Sequence, residues 1–179
     1  ATILGIQQRT NLRLPDGFFE NNQAAKLKII EQIRLHQPEI VLANALHDRH
    51  PDHSKAGQLV AEACFLAGLR KIHTTHQGQE QTAYRPRLVL HYIQDYHQIP
   101  SFVQDVSPFV TQKIEAIKAY KTQFFNPKLQ EPATYISSSD FLDGIEARAR
   151  EFGKSIQCSY AEGFTANKLL GVSSLFDLK

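Results

Sequence analysis

Residues 38–44 read Pro-Glu-Ile-Val-Leu-Ala-Asn, a short apolar run with two β-branched residues. Such a run, closed by a polar residue, has the length and composition of a buried parallel strand. Helical patterns lie on both sides of it. Upstream, Leu27, Ile29, Ile30 and Ile33 recur at helical spacing among lysines and glutamates. Downstream, Ala56, Leu59, Val60, Ala63 and Ala67 fall on one face of a second helix, with Ser54 as its expected N-cap and Gly68 as its end. Helix, strand, loop and helix in that order predict an α/β fold with a mostly parallel, Rossmann-like sheet flanked by helices.

The rest of the chain continues the pattern. "HTTHQGQEQTAYRPR" (residues 73–87) reads as a long polar loop. "LVLHYIQ" and "SFVQDVS" read as strands. A helix is expected over 108–124, with Ser107 as cap and Pro108 in its first turn, and another over 138–154 closed by Gly153. The stretch 155–164 is strand-like, and no repeat or linker divides the 179 residues, so one domain is expected. The opening "ATILGIQQRTNLRLP" reads as the tail of an amphipathic helix, and the chain has no methionine. A further segment upstream is therefore expected.

Composition narrows the function classes. A formal charge of +2 gives no reason to expect nucleic acid or a polybasic membrane face. No apolar run approaches the roughly 18 residues that span a bilayer. Cys64 and Cys158 lack a CxxC partner, so a disulfide framework is not expected, and a reducing, cytoplasmic setting is the simple reading.

The chemistry-bearing stretch is "HDRHPDH", residues 47–53, between the strand and the second helix. Loops at the C-terminal ends of strands are where α/β sheets bind ligands. His50 and His53 are spaced so that both imidazoles can reach a common centre, and Pro51 stiffens the loop between them. Asp52 is near enough to accept from an imidazole N–H and set its tautomer. His47 and Asp48 are either supporting groups or solvent-facing. The second pair, His73 and His76, lacks a stiffening proline and an acidic partner and reads as a solvated loop. A His-Asp phosphohydrolase would need further histidines on the downstream helices, which carry none.

These residues resemble a family. "DRHPDH" is similar to the second motif of the zinc-dependent N-acetylglucosaminyl deacetylases of the PIG-L/LmbE type. "ILGI…R.NL.LPDG", "AGLRK", "GQE…RP", "IEAIKAYKTQF" and "YAEGF" look like the branch that deacetylates N-acetylglucosaminyl-malate in bacillithiol biosynthesis. The resemblance implies one catalytic Zn2+ with His53 as a ligand and His50 as electrostatic stabiliser or acid, Asp52 beside them. It implies that two further ligands and the general base come from an "AHPDD" segment, which these 179 residues do not contain. It also implies a small N-acetylglucosaminyl substrate and a homo-oligomer, a hexamer as in relatives.

Other site residues carried by the resemblance have ordinary readings beside them. Asp16 binds sugar hydroxyls or is simply the turn residue before Gly17. Arg85 and Tyr135 line the acetyl and sugar pocket, or are respectively solvated and structural. Tyr160 and Glu162 are expected in packing or a subunit contact. The alternatives to the malate conjugate are another N-acetylglucosaminyl glycoside, a chito-oligosaccharide, or a non-catalytic sugar-binding role.

Overall fold

The structure is a computed structural model describing residues 1–121, 123–124 and 134–178. It divides into two compact units, one of residues 1–10 and 103–163 and one of residues 11–102 and 164–178.

The larger unit holds α1 (Gln23–His36), β1 (Ile40–Ala43), α2 (Pro51–Ala67), the two-residue strands β2 (Thr75–His76) and β3 (Gln79–Glu80), and β4 (Leu88–Tyr92). β1 and β4 pair in parallel, Ile40 opposite Leu88 through Ala43 opposite His91. The remaining strands are β5 (Phe102–Asp105) and β6 (Ala161–Ala166), and the sheet order is β1-β4-β6-β5. β6 runs antiparallel to β4, Phe164 opposite Tyr92. The α/β class and the parallel ladder beside the His-rich loop are as the sequence implied, but β1 is not the buried strand expected: it lies at the edge of the described sheet, and Ile40 and Leu42 are exposed.

Periodicity becomes packing in the α1–α2 pair. Ile30 and Ile33 of α1 meet Ala63, Cys64 and Ala67 of α2, with Leu27, Val41, Val60 and Val89 packed around them. Three of the five central residues are small, so the helices approach closely. Burial pushes the Cys64 thiol up to about 11, which keeps it protonated and inert. Asn22 caps α1 through a bond from the Ala25 N–H at 3.0 Å.

The C-terminal end of α2 is closed by a guanidinium. Arg34 is almost wholly enclosed and donates to the carbonyls of Ala67 (3.0 Å), Ile72 (2.7 Å) and Leu69 (3.0 Å) and to Thr74 Oγ1 (2.8 Å). Helix-end carbonyls need such partners when buried.

The smaller unit contains a short 3-10 turn (Thr2–Leu4), α3 (Val110–Lys118) and α4 (Ser139–Ser155). Leu142, Ala149 and Phe152 of α4 and Ala161 are buried there. Lys113 pairs with Glu162, and the Tyr160 hydroxyl donates to Glu146 at 2.8 Å under the Arg150 guanidinium. Tyr160 and Glu162 therefore have packing roles within this unit.

Several local expectations are corrected. Residues 1–15 contain only the 3-10 turn, because no apolar stripe is sustained long enough to pack a helix. His50, not Ser54, caps α2, since Pro51 at the first helical position moves the start forward by four residues. Ser107 does not cap α3; its hydroxyl donates to the Tyr160 carbonyl instead. α3 stops at Lys118, and residue 122 of the expected helix lies outside the described residues. Gly153 sits inside α4, where a Cβ would lie 2.7 Å from the Cys158 carbonyl oxygen. The polar stretch after α2 is a small hairpin, with His73 paired to Glu80 and His76 to Glu31 on α1. No described helix is long and apolar enough to cross a membrane.

Gly57 decides how close α2 comes to the chain leaving β1. A Cβ there would lie 2.6 Å from the Asn44 carbonyl oxygen and 3.1 Å from that of Ala45. Backbone cannot yield to it cheaply. An exposed helical glycine such as Gly144, with nothing within 4 Å, faces no such obstacle. Gly144→Ala should therefore stabilise by up to about 1 kcal/mol, the ordinary helix-propensity gain. Gly57→Ala should instead destabilise by about 1–3 kcal/mol. Urea denaturation of the two variants checks the opposite signs.

Candidate active site

Parallel pairing puts the chain leaving β1 and the chain leaving β4 at the same end of the sheet. The two loops are bound to each other there. Asn44 Nδ2 donates to Gln94 Oε1 at 2.8 Å, and Gln98 Nε2 donates to the His47 carbonyl at 2.8 Å. Arg49 Nε donates to Asp95 Oδ2 at 2.5 Å. The rings of His47 and Tyr96 lie 5.2 Å apart. Beneath them His91, on β4 and wholly enclosed, donates from Nδ1 to the Asn44 carbonyl at 2.7 Å.

Asp48 is at the centre of this arrangement. Its carboxylate is fully enclosed. Oδ1 accepts the backbone N–H groups of Asp95 and Tyr96, each at 3.1 Å. Oδ2 accepts from His53 Nδ1. Burial works to raise this carboxyl, but the bonds from His53 and from the Tyr96, Arg49 and Asp95 N–H groups outweigh it. The net effect holds the group below its ordinary value.

His50 and His53 are brought together, with ring centroids 5.1 Å apart and planes tilted by 33°. Their protons are placed differently. A carboxylate can only accept, so His53 carries its proton on Nδ1 and leaves Nε2 with a free lone pair. His50 Nδ1 accepts the Asp52 N–H at 3.2 Å as the helix cap, so its ring proton sits on Nε2. One ring offers a lone pair and the other an N–H donor.

Asp52 does not orient an imidazole through its side chain, as the sequence implied. Its Oδ2 accepts the Gly17 N–H at 2.6 Å, and its Oδ1 lies 3.5 Å from Lys55 Nζ without a hydrogen bond. Spacing favoured Asp52 because it is adjacent to His53. The helix start turns its side chain toward the 16–19 turn, and Asp48, five residues back, reaches the ring instead. Gly17 adopts a left-handed φ of 75°, which only glycine takes at little cost, and so presents its N–H to Asp52. Lys55 Nζ donates to the Phe19 carbonyl at 3.2 Å, a second clasp on the same turn.

The turn carrying Asp16 is thus held against the first turn of α2. Arg85 is not brought to the site. It stacks on the Phe65 ring at 4.2 Å and donates to the Phe65 carbonyl at 2.9 Å, near the far end of a helix about 25 Å long. An exposed arginine beside a proline is drawn to unanswered helix-end carbonyls, and nothing in the local sequence separates that role from substrate binding. Tyr135 belongs to the other unit, where its ring meets the Phe141 ring edge-on at 5.4 Å.

The chemistry of the donors admits a metal at one point. His53 has the arrangement of a ligand, with its remote nitrogen bonded to a buried carboxylate and its other lone pair free. Among the described residues no group of three or more His, Cys, Asp or Glu side chains is placed to hold a metal ion. His53 fits as one ligand of a larger set.

Comparison with known proteins places this arrangement. A family model described as "PIG-L: GlcNAc-PI de-N-acetylase" matches residues 1–64. The conserved protein TT1542 from Thermus thermophilus has a similar structure, 31% identical, covering 96% of this chain and 71% of its own length with a TM-score of 0.81. The chain belongs to the PIG-L deacetylase fold family. A diacetylchitobiose deacetylase of Thermococcus kodakarensis is 27% identical over 158 residues, and the match covers 81% of this chain and 58% of that protein's length. At 18% identity the fold is shared with two further structures. N,N'-diacetylchitobiose deacetylase from Pyrococcus horikoshii covers 99% of this chain and 64% of its own, with a TM-score of 0.71. The 4-carboxy-2-hydroxymuconate hydratase GalB from Pseudomonas putida KT2440 covers 90% and 65%, with a TM-score of 0.66.

In this PIG-L chain, sequence reasoning brought out His50 and His53, left Asp48 open between a supporting and a solvent-facing role, and gave Lys55 and the 94–98 loop no role. Asp48 stands beside His47 in the same motif, but its partners are 47 and 48 residues away, beyond any spacing rule. Its effect on stability has a defined sign. A carboxyl held below its ordinary value of 3.8 stabilises the fold above that pH and loses the contribution as pH falls through the lower folded value. The stability difference between wild type and Asp48→Asn should therefore be constant near neutrality and shrink below pH 3.8. Urea titrations from about pH 7 to about pH 3 test this, and a difference independent of pH would refute it.

Proposed function

We propose that the protein is a metal-dependent amide hydrolase that removes the acetyl group from an N-acetylglucosaminyl conjugate. The observation that carries the reading is the pair of complementary histidines at the α2 N-terminus, one with a free Nε2 lone pair and one with an Nε2–H donor. The names of the Thermococcus and Pyrococcus relatives support deacetylation of an N-acetylglucosamine-type substrate. GalB shares the fold and has a different reaction, so the reading rests on the site and not on the fold.

In this reading His53 is a zinc ligand through Nε2. Bound zinc supplies a Lewis acid and lowers the pKa of the attacking water. His50 donates its Nε2–H to the acetyl carbonyl oxygen as that oxygen gains negative charge. It acts as a neutral donor, its Nδ1 being occupied by the Asp52 N–H. Asp52 works through the backbone, orienting His50, and through its carboxylate, holding the 16–19 turn so that Asp16 can meet sugar hydroxyls. By the family resemblance, the remaining ligands and the general base are those of an "AHPDD" motif. The same resemblance carries a homo-oligomer, a hexamer. The absence of a disulfide pattern at Cys64 and Cys158 supports a reducing, cytoplasmic setting.

Two substrates follow from different observations. The separated motifs from Ile3 to Phe164 support N-acetylglucosaminyl-malate. The relatives' names support a chito-oligosaccharide. Free-amine release from the two compounds, assayed side by side with the full-length protein, tests the assignment, which takes N-acetylglucosaminyl-malate as the better substrate. Faster turnover of diacetylchitobiose would reverse it, and no release from either would overturn the hydrolase reading.

Two variants separate the roles of the histidines. His53→Ala in the full-length protein should lose most of its zinc by metal analysis, and undiminished zinc would remove His53 as a ligand. His50→Ala should keep zinc while turnover falls about a hundred- to a thousandfold, as for loss of one oxyanion donor. Its lost helix cap costs about 1 kcal/mol of stability, so turnover is measured well below the melting temperature. Zinc lost with His50 would make that residue a ligand instead.

A further inference from the structure

We propose that Asp48 is a positioning residue that fixes His53 in the tautomer able to ligate a metal through Nε2, and that the 94–98 loop sets the aim of its carboxylate. The proposal rests on the metal reading above and goes beyond it, because it concerns a proton that can be observed without metal.

The argument begins with Oδ1. It accepts two N–H groups from successive backbone positions, Asp95 and Tyr96, each at 3.1 Å. Backbone donors on neighbouring residues hold an acceptor more rigidly than flexible side chains do. With Oδ1 held, the carboxylate plane cannot turn freely, and Oδ2 is directed at His53 Nδ1. The side chain is fully enclosed, so water cannot replace any of these partners. The loop is braced in turn by Arg49 on Asp95, Gln98 on the His47 carbonyl and Asn44 on Gln94.

The alternative carboxylate is already engaged. Asp52 spends Oδ2 on the Gly17 N–H and faces Lys55 with Oδ1. Asp48 is thus the acid that sets where the His53 proton resides.

An asparagine at position 48 makes the consequence specific. Its single amide oxygen is required by the Asp95 and Tyr96 N–H groups, which turns its NH2 toward His53. Two donors would then face each other. A neutral imidazole relieves this by moving its proton to Nε2 and accepting at Nδ1. Nε2 no longer has a lone pair, and metal ligation through it is blocked until that proton is displaced.

The test uses full-length protein stripped of metal and held at an alkaline pH where the rings are neutral. Long-range 1H–15N correlation spectra report which ring nitrogen carries the proton. Wild type should show His53 as Nδ1–H and Asp48→Asn as Nε2–H, and zinc affinity from chelator competition should fall about 10- to 100-fold in the variant. A wild-type His53 protonated on Nε2 would overturn the proposal without any variant being needed. So would an unchanged tautomer or unchanged zinc affinity in Asp48→Asn, since a merely structural carboxylate would move neither. Zinc retained by His53→Ala would overturn the metal reading and the proposal together. That outcome is told apart from a failure of Asp48 alone, in which His53→Ala loses zinc and Asp48→Asn keeps it.

Discussion

A buried carboxylate is tolerated only where hydrogen bonds replace the water it has lost. Asp48 meets that condition by drawing on two loops far apart in sequence, taking two backbone N–H groups from the chain after β4 and an imidazole from the start of α2. The requirement runs both ways. The carboxylate is stable only if the 94–98 loop lies against the His-rich loop, and that loop is held there by the carboxylate together with the Arg49–Asp95, Gln98–His47 and Asn44–Gln94 bonds. The parallel pairing of β1 with β4 makes the meeting possible, because it delivers both loops to one end of the sheet.

α2 converts this junction into a site. Its N-terminus presents His50 as a cap, His53 one turn in, and Asp52 and Lys55 as clasps on the 16–19 turn. Its C-terminal end does structural work, with Arg34 answering the Ala67 and Leu69 carbonyls from inside and Arg85 the Phe65 carbonyl from outside. Gly57 lets the helix lie against the Asn44 and Ala45 carbonyls, which a side chain would prevent. Chemistry and anchoring thus sit at opposite ends of one helix. A helix with both ends held presents its first turn with little freedom, which suits side chains that must share a centre.

The two histidines differ in protonation because their neighbours differ. His50 faces a donor, the Asp52 N–H, and His53 faces an acceptor, the Asp48 carboxylate. Neutral imidazole has one nitrogen of each kind, so each neighbour determines what the opposite edge of the ring offers. A charged His50 is therefore unnecessary for oxyanion stabilisation, since its Nε2–H is available on the neutral ring.

Features of short range were legible in the sequence. The α1 and α2 stripes, the apolar run of β1 and the stiffened His50–His53 pair arise from spacings of a few residues, which local periodicity reports directly. The pairings of Asp48 with Asp95 and Tyr96, of Asp52 with Gly17 and of Arg85 with Phe65 span 20 to 48 residues, and no local pattern encodes them. Ser54 shows the same limit on a smaller scale: a good capping residue lost the position because Pro51 moved the helix start ahead of it. The sequence by itself thus determined that an α/β chain would carry two histidines around a stiffening proline between a short apolar strand and a helix, since periodicity and proline act within a few residues. Only the tertiary structure decided which acid faces which ring, because a hydrogen bond is directional and its partner is whichever group the packed sheet brings within about 3 Å.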